Sequence, residues 1–483
     1  MNFLRRVGDV KLTRLFYLVF VIGLPLATAF FCQTFVTGRL QVVLPVIALV
    51  IAFCCCVKDR DRLQISFGQA VLLLFFLWAA ADQNTAFAGK VTSYVCQIWL
   101  LVFGCILFVS LIIGNAQNRE REWSGFFWGA VLAIGIFYAA VTIICWVAPA
   151  VHDAIYTRFF ASSASSIDAA DWKAGFTNHY STNGMYLAFG LIACVPLLLD
   201  KRKNLIFRLA PFVVILLALL LTTKRAHLVF GVGSIAVAMI LFGSREKLST
   251  AFKAVIVIMI AVLCVYVASL YAPDLLDTFN RIADMSSNDD TSTTDRLYFS
   301  TLCQQIWEKS PVVGSGMGTY AIEFNTTGLS ANYIAAGYSI MYAHNCFWQV
   351  LAEQGIIGFA LLILAFAANL LGSVRLLLQL NRSVSADWRA RAFLAASVSM
   401  QIFFILYCTT GNPLYDMQAY IPYLFSCGVY FAVSRQASAE GLLFHRGHRR
   451  SLGRRQDWQS SSALMDVSAA QMGLAAQRIM GER

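Results

Sequence analysis

The chain has 483 residues, 59% hydrophobic and only 13% charged, with a mean hydropathy of +0.66 and a formal net charge of +11. Soluble domains run nearer ~45–50% apolar and ~25% charged, so this composition excludes a soluble enzyme, a disordered chain and a nucleic-acid-binding module. What remains is an all-α polytopic membrane protein, in which the placement of the charges says more than their sum.

A helix needs ~20 mostly apolar residues to cross ~30 Å of hydrocarbon. In chain order such runs fall at 15–36, 40–57, 67–82, 91–114, 125–149, 183–199, 205–222, 226–243, 251–272, 346–374, 392–410 and 417–434. They predict about 12 transmembrane helices, with 67–82 short for a span. Each is expected as a helix, because backbone N–H and C=O groups in lipid must be satisfied within the segment or in a closed barrel. The ~10-residue alternation of a membrane barrel is absent.

Lysine and arginine orient the bundle. With a cytoplasmic N-terminus, the inside segments carry Arg5, Arg6, Lys11 and Arg14, then Lys58, Arg60 and Arg62, then Arg119 and Arg121. Lys201 to Lys203, Arg245, Lys247 and Lys253, and Arg375, Arg382, Arg389 and Arg391 follow. The short outside loops carry only Arg39, Lys90, Lys224 and Arg225. Both termini are therefore expected in the cytoplasm, and the first span reads as a retained signal anchor. Residues 1–434 form the expected bundle. Residues 435–483 form a basic tail, with Arg446, Arg449, Arg450, Arg454 and Arg455 suited to anionic headgroups.

Two long loops fall outside, 150–182 and 273–345, and loops of the second length tend to be functional. Within it, 294–309 places Phe299, Leu302, Cys303 and Ile306 on one helical face, an amphipathic helix for the membrane surface or the bundle. Most of the 13 cysteines sit inside spans as small hydrophobes. Only Cys303 and Cys346 are expected on the oxidising side, and whether they pair stays open.

Three places hold candidate chemistry. Lys224-Arg225 breaks the charge bias in a turn of a few residues; it either snorkels to outer headgroups or presents fixed cations to an anion, the arginine fork matching phosphate. Arg296 opens the amphipathic helix, where an exposed arginine is equally a solvated one. His344 stands where the long loop re-enters the membrane, as a general base or as a capping residue. Together they have the chemistry to hold a diphosphate and take a proton from an attacking hydroxyl. Gly314-Ser315-Gly316-Met317-Gly318 reads as a tight turn after Pro311, since no strand precedes it. Asp59-Arg60-Asp61 reads as a solvated inner loop. The acidic Asp284, Asp289 and Asp290 suit a cation or equally a soluble loop, no zinc spacing occurs, and no metal is expected.

These residues resemble the bacterial O-antigen ligase/polymerase superfamily. The chain carries Lys224-Arg225-Ala226 between middle spans, then Asp295-Arg296 with Trp307, then Pro311-Val312-Val313-Gly314-Ser315-Gly316. His344-Asn345 and Glu353-Gln354-Gly355-Ile356-Ile357-Gly358 complete the order. The resemblance covers roughly 175–360; Lys224 departs from the small serine usual there. It implies a GT-C-type glycosyltransferase that is inverting and metal-independent, needing no cofactor. The donor would be an undecaprenyl-diphosphate-linked glycan and the acceptor a sugar hydroxyl of lipid A–core, at the periplasmic face of a bacterial inner membrane. Arg225 and Arg296, with Lys224 beside them, would hold the diphosphate, and His344 would be the base or position the acceptor. O-antigen polymerase and protein O-oligosaccharyltransferase share that chemistry, although the latter often carries an added C-terminal periplasmic domain. From another class, a lipid-linked glycan transporter or flippase would place ionisable residues at mid-membrane, whereas Arg208 and Glu353 lie near span ends.

Overall fold

The computed structural model describes residues 15–59, 63–81, 90–116, 120–161, 170–243, 291–330, 342–383 and 386–442, with backbone alone at 90–94, 120–121 and 291–296. Among the described residues the regular elements are all helical, and no strand occurs. In chain order they are α1 (Leu15–Phe31), α2 (Leu40–Asp59), α3 (Phe67–Ala81), α4 (Lys90–Asn115), α5 (Glu120–Val147) and α6 (Pro149–Phe159). The middle of the chain supplies α7 (Tyr180–Ala193), α8 (Val195–Leu199), α9 (Leu205–Leu221), α10 (Arg225–Phe242), α11 (Thr291–Lys309) and α12 (Thr319–Asn325). The last three are α13 (Cys346–Arg382), α14 (Trp388–Tyr407) and α15 (Met417–Ala439). A second unit begins at Ala437, of which residues 437–442 are described.

Every predicted apolar run overlaps a helix except 251–272, which lies outside the described residues. The helices support the expectation of about 12 spans only in part. Among the described residues, 7 helices are long and apolar enough to cross a membrane: α2, α4, α5, α7 continued by α8, α10, α13 and α14. Three more, α1, α3 and α9, are apolar but shorter, and α15 is not among either group. The chain is a multi-pass membrane protein. Inside the segment 150–182, read as loop, α6 is a further departure. Pro149 stands in its first turn, where a fixed φ suits a helix start.

Without a hydrophobic drive between helices in lipid, packing and buried polar contacts join them. Tyr138 on α5 donates its hydroxyl to the Phe30 carbonyl of α1, and Tyr186 on α7 donates to the Ala29 carbonyl at 2.8 Å. Ser110 on α4 reaches the Leu424 carbonyl of α15 at 2.6 Å, and Gln401 on α14 donates to Ser373 Oγ on α13 at 2.9 Å. The short α3 lies along α13, its Trp78 Nε1 donating to the Gln354 carbonyl at 3.1 Å.

Candidate functional site

The connection from α9 to α10 is three residues tight. Thr223 takes φ 56°, a left-handed conformation costing a non-glycine residue ~1–2 kcal/mol. It delivers Lys224 as the N-cap and Arg225 as the first residue of α10, both half-buried. The Lys224 ammonium lies 3.9 Å from the centroid of Tyr180, close enough for a cation–π contact. Tyr180 opens α7, whose N-cap is His179, its Nδ1 accepting from the Ser181 amide at 2.8 Å. One turn into α10, the buried His227 packs 4.7 Å from the ring of Tyr407, at the end of α14.

His344 comes to the same corner by another route. It is exposed, has φ 51°, and stands 5.6 Å from the ring of Phe299 in a stacked arrangement. Asn345 caps α13, its Oδ1 accepting from the amides of Phe347 at 3.1 Å and Trp348 at 3.2 Å. The Cys346 amide donates to the carbonyls of Cys408 at 2.9 Å and Gly411 at 3.0 Å. The first turns of α10 and α13 thus both abut residues 407–411, which sets Lys224, Arg225 and His344 at one end of the helices. Arg296 lies on the backbone of α11, one turn before Phe299; its side chain falls outside the described residues. Phe299, Leu302, Cys303 and Ile306 are buried, so the apolar face of α11 packs inward. Cys303 and Cys346 are both free.

The Pro311–Gly316 turn follows a helix and meets a break in α13. Gly355 has φ 63° and ψ −170°, so α13 is a short segment before it and a long one after it. Such a break orphans carbonyls on one side and amides on the other. Here the turn satisfies both. Ile356 and Ile357 donate to the carbonyls of Pro311 at 3.0 Å and Val312 at 3.3 Å. The carbonyls of Ala352 and Glu353 accept from the amides of Ser315 at 3.3 Å and Gly316 at 2.8 Å. The approach requires glycine, since a Cβ on Gly355 would lie 2.3 Å from the Val312 oxygen and one on Gly314 2.3 Å from the Glu353 oxygen. Two glycine motifs separated in sequence are one clasp.

Within that short segment Glu353 is wholly buried and borders a cavity of about 20 Å³, room for about one water. Trp99, Tyr342, Gln349 and Tyr415 share its walls. Next in sequence to Tyr415, Asp416 caps α15, its Oδ1 accepting from the Gln418 amide at 3.0 Å. Burial pushes the Asp416 carboxyl up to about 6 from an ordinary 3.8. The folded state therefore binds this proton more tightly than the unfolded chain. The stability it contributes is complete below pH 3.8 and lost as pH rises through about 6. Asp416→Asn keeps the capping oxygen and should flatten the fall in thermal midpoint across that window in detergent. Parallel curves for variant and wild type would refute it.

Sequence reading left Gln349, Tyr342, Tyr415 and His227 unmarked, and noted Glu353 only as a motif letter and a charge near a span end. Apart from the Gln349–Glu353 pair on α13, their partners lie on other elements or loops, so local spacing alone does not point to them. Asp59 ends α2, and residues 60–61 and 284–290 lie outside the described residues.

No curated protein matches the chain. Residues 210–363, from within α9 to within α13, match the family model described as O-antigen ligase. The interval contains Lys224, Arg225, Arg296, His344 and Glu353. Families of this kind are glycosyltransferase-like enzymes, and the match supports this chain's membership of the O-antigen ligase/polymerase superfamily.

Proposed function

We propose that the protein is an O-antigen ligase that moves O-antigen polysaccharide from undecaprenyl diphosphate to a sugar hydroxyl of lipid A–core. In this reading the termini are cytoplasmic, the membrane is the bacterial inner membrane, the fold is of the GT-C type, and the site faces the periplasm. The observation that carries it is that α10, which begins at Lys224 and Arg225, and α13, which begins beside His344, both start inside the interval matched by the O-antigen ligase family and both meet residues 407–411.

The chemistry follows from charge. The acceptor hydroxyl attacks the anomeric carbon of the first donor sugar, the carbon–oxygen bond to the diphosphate breaks, and a single displacement inverts the centre. His344 takes the hydroxyl proton. Arg225 and Arg296, with Lys224 beside them, offset the negative charge that grows on the departing diphosphate. Fixed side-chain cations supply what a divalent ion would, which supports a metal-independent reaction.

The test is transfer with purified components: full-length protein, undecaprenyl-diphosphate glycan and lipid A–core in detergent with EDTA. A gel shift of the core is expected. Longer glycan on the lipid carrier with unshifted core would make the protein a polymerase, and a glycosylated protein acceptor would make it a protein transferase. Passage of labelled donor across vesicles without consumption would make it a transporter.

A further inference from the structure

The cavity beside Glu353 is too small for a sugar ring, so it is not a second subsite. Its wall instead belongs to a hydrogen-bonded relay that ends on the Ala343 amide, one residue before His344. Glu353 Oε1 accepts from the Tyr320 amide at 3.2 Å and from Gln349 Nε2 at 3.2 Å, and Oε2 accepts from the Tyr415 hydroxyl at 3.0 Å. The other end of the Gln349 carboxamide, Oε1, accepts from the Ala343 amide at 3.1 Å and from Asn412 Nδ2 at 2.6 Å. Ala343 precedes His344, whose φ is 51°.

A carboxamide has a donating and an accepting end that differ little in shape. With Glu353 able only to accept when ionised, the amino end of Gln349 faces the carboxylate and its oxygen faces Ala343. Strained backbone persists only where its surroundings over-determine it, and here the Ala343 amide, the Asn345 side chain and the Cys346 amide are each held. A buried carboxylate is costly unless hydrogen-bonded. Well-packed apolar side chains of similar volume often stabilise such a position as well or better. Architecture alone therefore does not call for this relay.

We propose that Glu353 and Gln349 are positioning residues for transfer: Glu353 fixes the orientation of the Gln349 carboxamide, and Gln349 fixes the Tyr342–Ala343 peptide, directly ahead of the residue that presents the imidazole. The inference rests on His344 acting in the reaction. It gives the glutamate of the Glu353-Gln354-Gly355 motif a task distinct from the clasp formed by its glycine.

Steady-state transfer with the full-length protein tests it, using Gln349→Ala, Glu353→Gln and Tyr415→Phe, alone and combined with His344→Ala. Misplacement of a reacting group by ~1 Å costs about 10²-fold, so Gln349→Ala should lower kcat by about that factor with the KM of either substrate little changed. Glu353→Gln and Tyr415→Phe should fall between it and wild type. In the His344→Ala background none of the three should reduce the residual rate further, because they act through a group already gone. Equal losses in both backgrounds, or losses confined to KM, would overturn the proposal. So would wild-type kcat in all three variants. If Gln349→Ala does not purify as a monodisperse species, Tyr415→Phe, which removes one hydroxyl, decides by the same cycle. Wild-type rates in His344→Ala itself would instead remove the histidine from the mechanism and leave the ligase question to the product assay.

Discussion

Replacing His344 by alanine is expected to slow transfer by ~10²–10⁴-fold, the range for loss of a positioned general base. The folded state should be nearly indifferent, because the imidazole is exposed and its ring contact is with Phe299. The cap on α13 comes from Asn345, not from the histidine. The substitution also leaves the left-handed backbone in place, so thermal midpoint and elution profile should match wild type while kcat collapses. A base must be neutral to accept a proton, so kcat in wild type should rise with pH to a plateau. That rising limb should vanish in the variant. A variant that keeps the limb would assign the base elsewhere.

Arg225→Ala should cost ~10²–10³-fold, as expected when one preorganised contact to developing charge is removed. Lys224→Ala should cost less. The Lys224 ammonium already lies over Tyr180 at 3.9 Å, and it is a point charge without the planar fork of arginine. For the same reason Arg225→Lys should recover only part of the loss. Single-turnover rates with saturating donor separate this from weaker binding. Equal losses for Lys224→Ala and Arg225→Ala would mean that charge alone matters at this turn.

Much of the architecture was legible because its signals are local. Apolar length marked nearly every helix, and the spacing of Phe299, Leu302, Cys303 and Ile306 marked the buried face of α11. Length separates the apolar runs further: α1, α3 and α9 are apolar but shorter than the other spanning candidates. The segment 150–182 hid α6 because its charged and polar residues dilute the apolar run. At the site, Lys224 and Arg225 stood out as charges against the orientation rule, a signal that survives without tertiary structure. Gln349 carried no such signal. Its significance comes from meeting Ala343, Glu353 and Asn412, the last of them far along the chain. The same holds for the glycines at 314 and 355, which read as a turn and a separate motif letter until the backbone hydrogen bonds joined them.

The break at Gly355 has a mechanical consequence. A spanning helix answers a thinner or thicker bilayer by tilting, and in an unbroken α13 that tilt would swing its first turn, and His344 with it. Here the residues before Gly355 are bonded to the 311–316 turn and to the 408–411 corner, so they are tethered outside the long segment. That segment, from Ile356 to Arg382, is bonded to the same turn only through its first two amides, so a tilt of it would pivot at the break while the residues before Gly355 keep their bonds to the 408–411 corner. Under the proposed function, the break would thereby shield the candidate site from changes in the thickness of the membrane.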